Sequence, residues 1–128
     1  MTLAPIDEAD LEQLRAWRND YGIWKWCRQN DLISAAAHRA WFERQAADPT
    51  IKMYKIQRKF SRSTETVGAC GLTSIDPVNR RAEFSLYIGP EFQRQGAGAQ
   101  SMSVLLMHGF QNLGLNVIWG ESFAGNPA

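Results

Sequence analysis

The stretch "AEFSLYIGPEFQRQGAG", Ala82 to Gly98, decides how the rest of the chain is read. Its first half alternates: Ala82, Phe84, Leu86 and Ile88 point to one side and Glu83, Ser85 and Tyr87 to the other, the period of a β-strand. Gly89 and Pro90 close that strand. Gly96 and Gly98 then stand two apart, just ahead of a run from Ala99 in which Met102, Leu105, Leu106, Gly109, Phe110 and Leu113 keep helical spacing, with Gly114 as the C-terminal cap. A strand, a glycine turn and a helix N-terminus leave backbone N–H groups free and aim the helix dipole at one point, which suits a phosphate-bearing ligand. A plain tight turn fits the same glycines, and the pattern does not choose between the two.

Familiar phosphate motifs are tested easily. The dinucleotide fingerprint G-x-G-x-x-G needs glycine where Ser101 stands. A P-loop needs a Gly-Lys pair, which does not occur in the chain.

Working outward, "LNVIWGES" (Leu115–Ser122) reads as a short buried strand, reached through the helix by a right-handed parallel crossover. Upstream, "KMYKIQRKF" (Lys52–Phe60) and "TVGACGLTSI" (Thr66–Ile75) read as an antiparallel hairpin about the polar turn "SRSTE". The basic residues Arg58, Lys59 and Arg62 then fall at a solvated tip, and His108 on the solvated face of its helix. Asp7 offers an N-cap for a helix reaching about Asn19, with Leu11, Leu14 and Trp17 on its apolar side. Ser34 caps a second helix, Ala35–Ala47, stopped by Asp48-Pro49. The closing "GNPA" is a helix start with no helix after it, so the chain reads as a single domain, residues 1–128, cut short at its C-terminus. An apolar last strand is then left as an edge open to a second chain.

Composition narrows the class. A chain of 128 residues with 45% hydrophobic content suits one globular, soluble domain. A formal charge of +1 lacks the basic excess of a nucleic-acid or membrane-surface binder. Cys27 and Cys70 are far apart and belong to no metal-type cluster, so we expect reduced, buried thiols, no metal and a cytoplasmic protein.

Gln93-Arg94-Gln95-Gly96-Ala97-Gly98 matches Q/R-x-x-G-x-G/A, and with its flanking strand and helix it resembles motif A of the GNAT family of N-acetyltransferases. "LRAWRND", the spaced Ile33, Ser34, His38 and Trp41, and "IWGESFAGN" fall in the order seen in the branch that acetylates ribosomal-protein N-termini and nucleotide-linked amino sugars, so the resemblance spans the chain. It implies an α/β (α+β) three-layer fold, a central mixed, mostly antiparallel sheet with helices on both faces, lacking the family's last helix and strands. It also implies acetyl-CoA as co-substrate, direct attack of a primary amine on the thioester, and a small-molecule or peptide amine as acceptor, a protein N-terminus or amino sugar being favoured over a polyamine.

By the same resemblance, the backbone of Leu86, Tyr87 and Ile88 holds the pantetheine and the acetyl carbonyl. Gln93, Arg94, Gln95, Gly96, Ala97, Gly98 and Ala99 take the pyrophosphate, Asn126 lies on the cofactor side, and Trp24 and Arg28 line the acceptor pocket. An ammonium must lose its proton before it attacks, which calls for a carboxylate, and Glu83 and Glu121 are the candidates. Each also reads as a strand carboxylate paired with Arg80, Arg81 or Lys52. His38, on an amphipathic helix beside Trp41, is assigned to packing or substrate lining rather than to base chemistry. The tyrosine helix that usually protonates the CoA thiolate is missing from this chain. A non-catalytic acyl-CoA-binding module and a strand-swapped or sheet-extended homodimer through the last strand are therefore the alternatives.

Overall fold

The computed structural model describes residues 1–24, 32–60, 62–93 and 95–120, without the side chains of Gly22, Trp24 and Phe60. Strands β1 (Thr2–Pro5), β2 (Lys52–Phe60), β3 (Ser63–Asp76), β4 (Arg81–Ile88) and β5 (Val117–Trp119) form one sheet in the order β1-β2-β3-β4-β5. All neighbours are antiparallel except β4 and β5, which are parallel, as a helical crossover requires. The helices are α1 (Leu11–Arg18), α2 (Tyr21–Trp24), α3 (Ala35–Ala47) and α4 (Ala97–Met107).

Local signals set the helix ends where the sequence places them. Asp7 accepts from Ala9 N–H and closes a capping box with Asp10, starting a single 3-10 turn that runs into α1. The Ser34 hydroxyl accepts from Ala37 N–H, and α3 stops at Ala47 before Asp48. In each case a side-chain oxygen satisfies an N–H that the helix itself leaves unpaired.

The sheet carries a core on each face, which makes the three layers. On one side Leu11, Leu14 and Trp17 of α1 pack with Ile6, Ile23 and Ala69, and with Met53, Tyr87 and Trp41 around them. On the other, Ala97 and Leu105 of α4 pack on Ile56, Cys70, Leu72 and Ile88. Burial pushes the Cys70 thiol up to about 12, so it carries almost no thiolate at neutral pH. Lys55, largely buried, bridges Asp10 at 2.9 Å and Asp7 at 3.4 Å and ties the start of α1 to β2.

Several expectations need correcting. Helix α4 starts at Ala97 and passes at His108 into a π-helical turn, His108–Asn112, where Leu113 N–H donates to the His108 carbonyl. The wider turn rotates the face, so Phe110 is 43% exposed while Gly109 is buried with its Cα close to Ile118. Gly114, with φ of 68°, is the expected left-handed cap glycine, although the helix it closes ends in the π-helical turn. His108 is not simply solvated: it shares a 2.9 Å hydrogen bond with the Tyr54 hydroxyl and another with Asn112. Strand β5 is not buried, since Val117 is 51% and Trp119 39% exposed. Cys27 lies outside the described residues.

Candidate functional site

The site lies along the edge of β4 beyond its pairing with β5. Parallel pairing of β4 with β5 runs only from Arg81↔Val117 to Glu83↔Trp119. Past Glu83, β4 continues to Ile88 with no strand beside it on that edge among the described residues.

Strand alternation decides which backbone groups face the opening. Gly89 N–H donates to the Val67 carbonyl at 2.8 Å, and Tyr87 stands opposite Ala69 in the same ladder. In an antiparallel pair every second residue turns its N–H and C=O to the partner strand, so Tyr87 and Ser85 spend theirs on β3. Leu86 and Ile88 turn theirs to the open edge. The Ile88 carbonyl is taken by Gln93 Nε2 at 3.0 Å, which leaves the Leu86 N–H and C=O and the Ile88 N–H aimed into the gap. Of the three residues assigned to backbone binding, Tyr87 therefore turns its N–H and C=O to β3 and away from the open edge.

At the end of β4 the chain makes a 3-10 turn, Pro90–Phe92, and enters α4 through Gly96. Gly96 is left-handed, φ 79° and ψ 0°, a conformation a side chain disfavours. The first helical bond runs from Gln100 N–H to the Gly96 carbonyl, and no side chain caps the helix. The amides of Ala97, Gly98 and Ala99 thus have no partner within α4 and converge on its positive end. Gly98 is informative in another way. A Cβ built there meets nothing nearer than Ile88 Cγ1 at 3.9 Å, an ordinary contact. Packing therefore does not demand glycine at this position.

The turn is held by side chains from elsewhere. Arg58 reaches from β2 to donate from Nη1 to Gln95 Oε1 at 2.9 Å, while its Nη2 pairs with Glu65 at 2.7 Å and its guanidinium lies 5.3 Å from the Phe92 ring centroid. The solvated-tip expectation is corrected for Arg58 and holds for Lys59 and Arg62, both exposed.

On the α1 and α3 face, Glu83 is half-buried between Thr73 of β3 and Trp119 of β5 in register. Arg80, one of its suggested partners, bonds to Asn116 instead. Farther along the same face Arg18 lies over the Tyr87 ring, 5.7 Å from its centroid. His38 is only 4% exposed and stacks on Trp41 at 5.2 Å, which favours packing over substrate contact. Burial, followed by the guanidiniums of Arg18 and Arg15, holds its pKa below the ordinary 6.5. The unfolded chain then binds a proton more readily than the folded one. Stability from this residue is complete above about pH 6.5 and falls as the pH drops through the window below it. A melting series from pH 7.5 to 5 should show a loss that His38→Gln reduces.

Arg94, Glu121 and Asn126, with Arg28, lie outside the described residues, as does the side chain of Trp24. No cluster of three metal-type ligands occurs among the described residues, and no helix among them is long and apolar enough to cross a membrane. A cavity of about 350 Å³ between α1 and the 3-10 turn is lined by Asp10, Trp17, Thr66 and Phe92 among others, and is separate from the β4 edge.

A mixed five-stranded sheet between helices, with α4 entered through a left-handed glycine just after β4, defines the class of α/β fold to which the chain conforms. The family described as the acetyltransferase (GNAT) domain matches residues 1–128, and the chain belongs to that family. Spermidine N(1)-acetyltransferase of Escherichia coli K12 is 22% identical over 113 residues, 88% of this chain. The chain covers only 59% of the length of that relative. Among solved structures, spermidine N-acetyltransferase from Vibrio cholerae in complex with CoA and spermine superposes with a TM-score of 0.91 at 21% identity, over 98% of this chain and 73% of that one. A domain from Methanocaldococcus jannaschii gives 0.82 at 20% identity, over 98% of this chain and 79% of that one. These likenesses establish the fold.

Proposed function

We propose that this domain transfers an acetyl group from acetyl-CoA to a primary amine. The observation that carries the reading is the open edge of β4 running straight into the uncapped amides of Ala97, Gly98 and Ala99. Those amides take the pyrophosphate, with Gln93 and Gln95 shaping the turn and Arg94 adding charge beside it. The Leu86 and Ile88 groups on the open edge hold the pantetheine amides, and an N–H of this edge donates to the oxygen that gains charge as the thioester carbonyl is attacked. The amine lone pair forms the new C–N bond, the C–S bond breaks with its electron pair leaving on the CoA sulfur, which takes a proton from water, and the amine proton leaves through Glu83. Glu83 and Leu86 are three residue steps apart along the strand, about 10 Å, so water between them relays that proton. Glu121 is the alternative base, and Asn126 belongs on the cofactor side. Cys70, buried with its thiol raised, is unsuited to carry the acetyl group.

For the acceptor, Trp24 and Arg28 are the lining residues that the resemblance implies, while His38 supports that side from within the packing against Trp41. The relatives named above are spermidine acetyltransferases, and spermidine is the first acceptor to try. A protein N-terminus and an amino sugar, each offering a single primary amine, are the other two acceptors to try. Calorimetric titration with CoA should show micromolar binding, and thiol release from acetyl-CoA should then appear with one of these three acceptors. Folded protein that ignores CoA would overturn the reading. CoA binding without transfer would instead support an acyl-CoA-binding module. The exposed Val117 and Trp119 favour β5 as a pairing edge between two copies, and a monomeric mass at tens of micromolar would dismiss that dimer.

A further inference from the structure

We infer that Arg58 is a positioning residue for the glycine turn, acting through Gln95; this rests on the CoA-binding reading above. Arg58 and Gln95 are far apart in sequence, yet one guanidinium joins the β2–β3 hairpin to the turn. Its Nε and Nη2 are anchored on Glu65 Oε2 at 3.3 and 2.7 Å, and Nη1 holds Gln95 Oε1 at 2.9 Å. The same guanidinium lies over Phe92, whose ring meets Trp17 edge-on with centroids 6.1 Å apart. Gln95 is thereby fixed from one side, and its own Nε2 leans toward the Glu91 carbonyl at 3.4 Å. The residue after it is Gly96, whose left-handed backbone directs the three amides.

A glycine turn without such a brace samples many backbone states, and a ligand must then order it on binding. Arg58 is suited to this task because its planar fork anchors on Glu65 and bonds Gln95 at once, which a lysine ammonium on a flexible stem does not reproduce. With only 27% of its side chain exposed, it belongs to the packed wall of the hairpin rather than to solvent.

Arg58→Ala, Gln95→Ala and the double variant test the link. Each single change should weaken CoA binding by about tenfold, the effect of losing one charge-assisted hydrogen bond. The double variant should be no weaker than the worse single within about twofold, because one link is removed either way. Arg58→Lys should behave like Arg58→Ala despite keeping its charge. If Arg58→Ala weakens binding and Gln95→Ala does not, Arg58 touches phosphate directly and the positioning role is overturned. A drop in melting temperature with unchanged CoA affinity overturns it as well. Amide exchange in the ligand-free protein separates this inference from the CoA reading. Gln100 N–H, bonded to the Gly96 carbonyl, should exchange about tenfold faster in either single variant. Unchanged exchange overturns the brace whether or not CoA binds, whereas wild-type protein that ignores CoA overturns only the acetyl-CoA reading.

Discussion

Gly98→Asp is expected to reduce CoA affinity by about 100-fold or more while leaving the melting temperature unchanged or slightly higher. The two effects have opposite signs for one reason. Residue 98 is the second position of α4, where a carboxylate interacts favourably with the helix dipole by about 0.5 kcal/mol. Replacing glycine within a helix adds roughly as much again, and the nearest atom to a new Cβ is 3.9 Å away. The same carboxylate occupies the point on which the amides of Ala97, Gly98 and Ala99 converge, so it excludes and repels a pyrophosphate. Calorimetry with CoA and a thermal melt on one preparation check both parts. If affinity survives, the glycines serve only the turn. Gly98→Ala, with no charge, should give a smaller loss of affinity and a gain in stability from helix propensity alone.

The largest effect on folding should come from Leu105→Ala. Leu105 is fully buried where α4 meets Ile56, Leu72 and Ile88, and truncating such a residue costs about 3 kcal/mol, of which the residual cavity is part. In a domain of this size the melting temperature should fall by roughly 10 °C. Phe110→Ala makes the informative contrast. By helical spacing both residues lie on one apolar stripe, but Phe110 is 43% exposed, and its loss should cost less than about 1 kcal/mol. Equal losses at the two positions, measured by denaturant unfolding, would mean that the π-helical turn His108–Asn112 does not form.

That pair shows where local pattern stops being informative. A π-helical turn has no residue signature of its own, and α4 widens at His108 in a setting of long-range contacts: Tyr54 of β2 bonds to His108, and Ile118 of β5 presses on Gly109. A 3.6-residue period continued from Ala99 therefore misplaces Phe110 and leaves His108 in solvent. Arg58 was misplaced for the same reason. Beside Lys59 and Arg62 it reads as part of a charged tip, because its partner Gln95 has no sequence relation to it. The brief strand β5 was legible as a strand, but its exposure was not, since burial depends on what lies across the sheet.

Features that depend on neighbours a few residues apart were already written in the local order of residues. The caps Asp7 and Ser34, the alternation of β2, β3 and β4, and the glycine turn ahead of α4 are set by backbone geometry and by side chains reaching their own chain. The family likeness could be read from that same order of motifs. Only the tertiary structure decided which edge of β4 is open, that Leu86 and Ile88 face it while Tyr87 is spent on Ala69, and that Arg58 braces the turn. Strand polarity and register follow from which strands pair on each side, and that choice is made by burying two cores at once rather than by any local run of residues.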